Sequence, residues 1–247
     1  MRFNVIMTIE EKQKIACFLD LAWDTLHSGY KGKQKEYDFT EKETAASSHF
    51  IQQCDSLEQI YKEIGACKNC QLSLKRKNTV PGEGVNNPLV MVIGEAPGAD
   101  EDVQGRPFVG KAGQLLDKML GSINLTRQTN CYIANIVKCR PPQNRDPHPE
   151  ERSACIHFLH RQILLHKPKF ILLVGSIAAQ SLLNTKMPIS KIRGKISEYK
   201  IGDLIIPLIS TFHPAYLLHN EDQKRPVWED LKLLRSRIEE FLNEKNE

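Results

Sequence analysis

Short apolar, β-branched runs alternate with segments of helical periodicity from residue 88 to the end of the chain. Such runs predict strands when Gly, Pro or polar residues bound them, and the segments between them repeat apolar residues every three or four positions. We expect strands at residues 89–93, 131–137, 170–174 and 204–211. Because strands that alternate with helices form parallel sheets with crossover helices, the pattern predicts an α/β fold.

Helices are predicted between and after these strands, at residues 112–123, 149–166, 176–183 and 226–243. In the last of them Leu231, Leu234 and Ile238 recur at helical spacing, with charged residues on the other face. This stripe is typical of a helix that packs one face against a core.

The N-terminal part of the chain has a different character. Residues 8–26 predict an amphipathic helix that begins with a capping box at Thr8 and Glu11. Residues 31–48 are mostly charged and polar, which is typical of a linker, and a further helix is predicted at 56–64. We divide the chain into an N-terminal helix with its polar linker, residues 1–50, and a main domain, residues 51–247. The N-terminal helix is expected to dock on a partner or on the main domain.

The composition indicates the class of protein and its compartment but does not indicate a function. The 247 residues are 40% hydrophobic and 26% charged, with a net charge of +4, which is ordinary for a globular protein. No apolar run approaches the roughly 18 residues of a membrane-spanning helix, and the N-terminus lacks the apolar core of a signal peptide. We expect a cytoplasmic monomer without membrane association, whose seven cysteines stay reduced.

Four cysteines are candidates for a metal site. Cys67 and Cys70 form a CxxC pair, and Cys139 and Cys155 follow later in the chain. Four thiolates can hold either structural zinc or a 4Fe-4S cluster. Spacing alone leaves both metals open, and it also allows Cys139 and Cys155 to be ordinary buried residues. Cys17, Cys54 and Cys131 lie on helix or strand patterns and are interpreted as structural.

Polar residues gather where the predicted strands end. The first strand runs into Gly94 and Glu95, the second carries Asn135, and the fourth is followed by His213. The third ends at residues 175–176, a Gly-Ser pair. Ligands of open α/β sheets bind outside the carboxyl ends of the strands, so one crevice is expected to collect all four ends.

Five linked motifs resemble one family, the family 4 uracil-DNA glycosylases, which carry an iron-sulfur cluster. They are CKNC at 67–70, GEAPGADED at 94–102, GRPFVGKAGQLLD at 105–117, NIVKCRPPQNRDP at 135–147 and FHPAYLL at 212–218. The resemblance covers residues 57–242. It implies a three-layer α/β/α sandwich around a four-stranded parallel sheet, and a 4Fe-4S cluster on Cys67, Cys70, Cys139 and Cys155.

The resemblance also implies an activity. The enzyme would flip a uracil nucleotide out of single- or double-stranded DNA and hydrolyse its glycosidic bond, leaving an abasic site. Phe108 would stack on the base, Asn135 would read its edge, and His213 would stabilise the uracil anion that forms. The implied base-binding residues are Gly94, Glu95, Ala96, Phe108, Asn135 and His213. The implied DNA-binding residues are Gly175, Ser176, Arg193, Tyr216, Leu217 and Leu218, where the last three form a loop that wedges into DNA.

One position departs from the better-known family 1 glycosylases. Their first motif supplies an aspartate that activates water, and Ala96 stands at that place here. Alanine cannot act as a base. Glu95 and Glu101 are therefore the candidate catalytic carboxylates beside His213, and Glu101 is expected to form an orienting pair with Asn144. Either carboxylate could instead only hold the loop.

Other functions are weighed against this one. Residues 105–111 fit a phosphate-binding GxxxxGK pattern, but Ala112 lacks the hydroxyl that such a loop uses on magnesium. A binding module that has lost activity is opposed by the presence of Phe108, Asn135 and His213. An electron-transfer protein would need no base pocket. A family 5 glycosylase is the nearest enzymatic alternative, although its first motif usually offers an aspartate.

Overall fold

In a computed structural model that describes residues 56–244, a six-stranded sheet forms the centre of that part of the chain. The strands are β1 Glu83–Gly84, β2 Val90–Gly94, β3 Cys131–Asn135, β4 Phe170–Val174, β5 Ile196–Ile201 and β6 Leu204–Thr211. Their order across the sheet is β1-β3-β2-β4-β6-β5. The four central strands run parallel, whereas β1 and β5 pair antiparallel at the two edges.

The four central strands are those that the sequence predicts, within one or two residues at their ends. The edge strands were not predicted. β1 has only two residues, too few for a periodic signal, and β5 alternates exposed and half-buried residues because only one of its faces packs on the protein. The four-stranded parallel sheet is thus the core of a wider mixed sheet.

Eight helices surround the sheet in the described part of the chain. They are α1 Leu57–Ala66, α2 Ala99–Gln104, α3 Lys111–Gly121, α4 Pro149–His166, α5 Ser176–Leu182, α6 Ile189–Ile192, α7 Pro214–Leu217 and α8 Lys224–Glu244. The side chain of Ser56 caps α1 by accepting a hydrogen bond from the N–H of Gln59. The five longest of these helices, all but α2, α6 and α7, were predicted.

Apolar side chains on the two faces of the sheet form two separate cores. Met91, Ile93 and Leu173 face α1, α4 and α5, whereas Val92 and Leu172 face α3 and α8. Alternate residues of a strand point to opposite faces, and strands buried on both faces are apolar throughout. Helices on both faces make the three-layer α/β/α sandwich that the family resemblance implies.

Several predictions concern residues that the structure does not describe. The helix at 8–26, the linker at 31–48, the domain boundary near residue 50, Cys17 and Cys54 all lie outside residues 56–244. Cys131 is buried in β3, as expected of a structural cysteine. Among the described helices, none is long and apolar enough to cross a membrane.

Candidate active site

A cavity of about 450 Å³ lies at the carboxyl ends of the parallel strands. The candidate residues that line it are Glu95, Ala96, Glu101, Phe108, Asn135 and His213. They come from the ends of β2, β3 and β6, from α2 and from the loop before α3. The crevice collects three of the four expected strand ends and brings these six residues together, although they span 119 positions of sequence, from 95 to 213. Gly175 and Ser176, at the end of the third predicted strand, are not among its lining residues, and neither is Gly94.

Asn135 closes the floor of the cavity. It is the last residue of β3 and is 1% exposed, and its Oδ1 is buried without a hydrogen-bond partner. Gly94 lies beside it in β2, and a Cβ there would stand 2.5 Å from that oxygen and 2.6 Å from the Phe108 ring. An acceptor that is buried and unpaired costs free energy, so the cavity presents an oxygen that is ready for a donor.

Phe108 is held in an unusual backbone conformation. Its φ is 53°, in the left-handed region that bulky residues avoid. The guanidinium of Arg127, itself 6% exposed, donates hydrogen bonds to the carbonyls of Pro107 at 2.9 Å and Phe108 at 3.0 Å. Gly113 permits this turn, because a Cβ there would meet the Phe108 carbonyl oxygen at 1.9 Å. Sequence reasoning did not find Arg127, since one arginine after a helix carries no local signal.

His213 follows β6 and caps α7. Its Nδ1 accepts a hydrogen bond from the backbone N–H of Ala215 at 3.2 Å, so the ring proton of the neutral form resides on Nε2. Burial lowers the pKa of His213 to about 4, and the charge of Glu101 opposes this shift. The imidazole is therefore neutral at physiological pH, and its ring lies 5.7 Å from that of Phe108.

The two candidate carboxylates have different surroundings. Glu101 accepts backbone N–H donors from Gly98, Val109 and Gly110 at 2.8 to 3.0 Å. Its carboxylate therefore joins the first turn of α2 to the loop that leads into α3. Burial raises the pKa of Glu95 to about 7, the charge of Asp146 adds to the shift, and that of Arg152 opposes it.

The loop after β3 contributes further polar residues to the cavity. Asn144 and Asp146 line the cavity. Asn144 accepts a hydrogen bond from Arg140 at 2.7 Å, and the hydrogen bonds of the described residues do not include the expected pair with Glu101. Arg145 forms two hydrogen bonds with Glu151, at 2.7 and 2.8 Å, which fix this loop on α4.

The candidate DNA-binding residues do not line the cavity. Gly175 and Ser176 begin α5, and a Cβ on Gly175 would stand 3.1 Å from the Cβ of His213. Tyr216 and Leu218 are 45% and 41% exposed, whereas Leu217 is 1% exposed and packs in the core. Successive residues of a helical turn point in different directions. Tyr216 and Leu218 therefore project toward solvent, and Leu217, the third residue of the predicted wedge, does not.

Arg193, the remaining candidate, is engaged inside the protein. Its guanidinium donates to both carboxylate oxygens of Asp230, at 2.6 and 2.9 Å, and to the carbonyl of Pro226. It also lies 5.3 Å from the centre of the Phe212 ring. Thr211 donates to the same buried Asp230 at 2.6 Å. Arg193 thereby ties α8 to the end of β6.

The four candidate cysteines line one small cavity between α1, the loop after β3 and α4. None of the described cysteines forms a disulfide. Arg76 donates to Sγ of Cys139 at 3.0 Å and to the carbonyl of Cys67 at 2.9 Å, so this arginine belongs to the cysteine site. Within residues 56–244, no group of three or more His, Cys, Asp or Glu side chains has the arrangement of a metal-ion site.

Comparison with known proteins identifies the family of the chain. Residues 81–232 match the model of the uracil DNA glycosylase superfamily. The chain therefore belongs to that superfamily.

Curated relatives place it more narrowly. The Type-4 uracil-DNA glycosylase of Sulfurisphaera tokodaii is 42% identical over 73% of this chain and 84% of its own length. The protein of the same description from Archaeoglobus fulgidus is 41% identical over 72% of this chain and 91% of its own. The Type-4 uracil-DNA glycosylase of Thermotoga maritima is 42% identical over 74% of this chain and 94% of its own length. The expected family 4 membership is confirmed.

Proposed function

We propose that the cavity binds a uracil flipped out of DNA and hydrolyses its glycosidic bond, leaving an abasic site. The observation that carries this proposal is the buried, unpartnered Oδ1 of Asn135. The uracil edge offers an N–H donor next to a carbonyl acceptor, which the two ends of an Asn amide match. Cytosine presents the opposite polarity at these positions and would leave both amide groups unpaired. Phe108 supplies the aromatic face for the base.

His213 stabilises the leaving group in this proposal. Cleavage leaves a cationic sugar and a uracil anion, so a donor aimed at the anion lowers the barrier. The Ala215 contact keeps the proton of the neutral imidazole on Nε2. A neutral donor of this kind needs no proton uptake before the reaction and is already oriented.

Water activation falls to Glu95 rather than Glu101. The Glu101 carboxylate already accepts three backbone N–H donors, which favours a positioning role for it. Glu95 lines the cavity next to Ala96, and a pKa near the working pH suits a general base.

DNA contacts follow from the rim of the cavity. The exposed Tyr216 and Leu218 are suited to enter the stack where the base has left, and buried Leu217 anchors their turn. The N–H of Gly175 already donates to the Thr211 carbonyl at 2.9 Å, so the N–H of Ser176 is the one that would bind a phosphate. Arg193 would support this region through Asp230. One chain supplies the whole pocket, so we propose that residues 51–247 act as a monomer on single- or double-stranded DNA, in the cytoplasm.

A 4Fe-4S cluster on Cys67, Cys70, Cys139 and Cys155 completes the proposal. The residues fit such a group because four free thiols surround one cavity and N–H donors already reach two of the sulfurs. When bound, the cluster would act as a structural group that joins α1, α4 and the loop after β3.

The test is release of uracil from an oligonucleotide that contains one deoxyuridine, in EDTA, followed by alkaline cleavage. Strand breakage only after alkali, lost in His213→Ala and absent with a thymidine control, is expected. EDTA excludes a nuclease that needs a free divalent metal. Absence of release from iron-loaded protein on both single-stranded and duplex DNA would overturn the proposal.

A further inference from the structure

Lys138 is a buried cation between the cysteine site and the base pocket. It lies three residues after Asn135 and directly before Cys139, and it is 1% exposed. Among the described residues no carboxylate pairs with it, as the ion pairs of this region involve other cations. Burial of an unpaired charge is costly, so a negative group is expected nearby.

The ammonium of Lys138 is fixed by two acceptors. Nζ donates to the backbone carbonyl of Asn135 at 2.9 Å and to Oε1 of Gln162 at 2.7 Å. Gln162 is held in turn, since its amide donates to the Pro81 carbonyl and to the Tyr132 hydroxyl. The lysine is therefore an ordered crosslink from α4 to the end of β3.

The same residue contacts the cysteine site through its backbone. Its N–H donates to Sγ of Cys155 at 3.3 Å. On the other side of the site, Arg76 donates to Sγ of Cys139. Arg76 is thus in direct contact with the site, and Lys138 lines the cysteine cavity, where its ammonium interacts electrostatically with Cys155 and Cys139. Four thiolates around a metal group would supply the negative charge that Lys138 lacks elsewhere.

On the side of the base pocket, Lys138 acts on Asn135, the residue proposed to read the base. The Asn135 carbonyl is held by Lys138, and the next two residues donate backbone hydrogen bonds to Gly94 and Glu95. Gly94 leaves no spare room beside the Asn135 amide. A small shift at the end of β3 would therefore misplace Oδ1.

We propose that Lys138 is a positioning residue that couples the metal group to base recognition, balancing the charge of the four thiolates while it holds the Asn135 carbonyl. This inference rests on the proposed function, because it takes both the cluster and the uracil pocket from it. It adds a specific physical connection between the two. Removal of the charge should disturb both sites at once.

The test compares Lys138→Met, which keeps a similar side-chain volume without the charge, with Lys138→Arg, which keeps a charge. Gln162→Met serves as a matched control, because it removes one acceptor of Nζ and leaves the lysine. Each holoprotein is assayed for iron content, for the midpoint potential of the cluster, and for single-turnover uracil release.

For Lys138→Met we expect a more negative midpoint potential, since a nearby positive charge favours the reduced cluster, and at least a tenfold slower uracil release. Lys138→Arg, which keeps the positive charge, should have the midpoint potential of the unaltered protein. Gln162→Met should keep the potential of the unaltered protein. If Lys138→Met does not fold, the same two measurements, midpoint potential and uracil release, are made on Lys138→Gln, which also removes the charge.

A change in only one of the two readouts of Lys138→Met, or in neither, overturns the coupling. The proposed function is judged separately, from iron content and uracil release of the unaltered chain. A chain that holds iron and releases uracil, with a Lys138→Met variant of the same potential and rate, would disprove this inference alone.

Discussion

The backbone N–H of Ala215 donates to Nδ1 of His213 across 3.2 Å. This contact lies within a single short turn, and the proline between the two residues helps to fix it, because its ring restricts φ. The sequence His-Pro-Ala therefore sets the tautomer of the imidazole locally, before any contact with DNA. The histidine is a donor toward the cavity and an acceptor toward its own backbone.

Acid should destabilise the fold through this histidine. Burial lowers the pKa of His213 to about 4 in the folded chain, whereas the unfolded value is about 6.5. The unfolded chain binds more protons between these values, so stability falls as the pH drops from about 6.5 to about 4, by at most about 3 kcal/mol from this residue. Urea unfolding of His213→Gln over this range should show a shallower decline, and parallel curves for the two proteins would contradict the assignment.

Gly94→Ala should fill the pocket. Its Cβ would stand 2.5 Å from Asn135 Oδ1 and 2.6 Å from the ring of Phe108, so uracil release should fall at least about 100-fold, with a loss of about 1–3 kcal/mol in stability. Gly121→Ala is the matched control, because a Cβ there meets nothing within 4 Å. Equal rates for the two variants in a single-turnover assay would count against the pocket.

Arg127→Ala should release Phe108 from its left-handed conformation. Arg127 is buried but its partners Glu83 and Asp117 are partly exposed, so the cost comes mainly from the buried carbonyls of Pro107 and Phe108. Each would lose its donor, at about 1–3 kcal/mol per carbonyl. Arg106→Ala is the comparison, since Arg106 also pairs with Glu83 but is exposed. Thermal unfolding should show a much larger loss for Arg127→Ala, with slower uracil release. The idea fails if both variants unfold at the same temperature.

Glu95 should give the reaction a pH dependence near neutrality. Its pKa is raised to about 7, first by burial and then by Asp146, and only the ionised form can accept a proton from water. Uracil release should therefore increase from about pH 6 to pH 8 and then level off. In Glu95→Gln the rate should be at least about 100-fold lower and flat over this range. A flat profile for the unaltered chain would exclude Glu95 as the base.

Much of the fold could be predicted because buried parallel strands carry a strong signal. The runs at β2 and β4 are apolar throughout, since helices cover both faces. The edge strand β5 mixes Ser, Glu and Lys with apolar residues, so its pairing is set by β6 rather than by its own composition.

The site was predictable where a residue sits at a strand end, and less so where long-range contacts decide its role. Asn135 is the last residue of β3, and His213 comes two residues after the end of β6. Arg127, Lys138 and Arg193 act through partners 10 to 37 positions away, and no local pattern marks such pairs. The sequence could therefore point to a charged residue inside a motif. It could not show whether that residue faces DNA or an internal carboxylate.

The strand order also determines the stage of translation at which the pocket can form. β6 pairs with β4 in the sheet and brings His213 to the site, while β5 and β6 form a hairpin closed by a two-residue turn. A nascent chain that has emerged only through β4 contains Asn135 and Phe108 but lacks the histidine. The last hairpin must dock before the residues can act together, so an incomplete translation product can hold the base-reading residue without the means to cut.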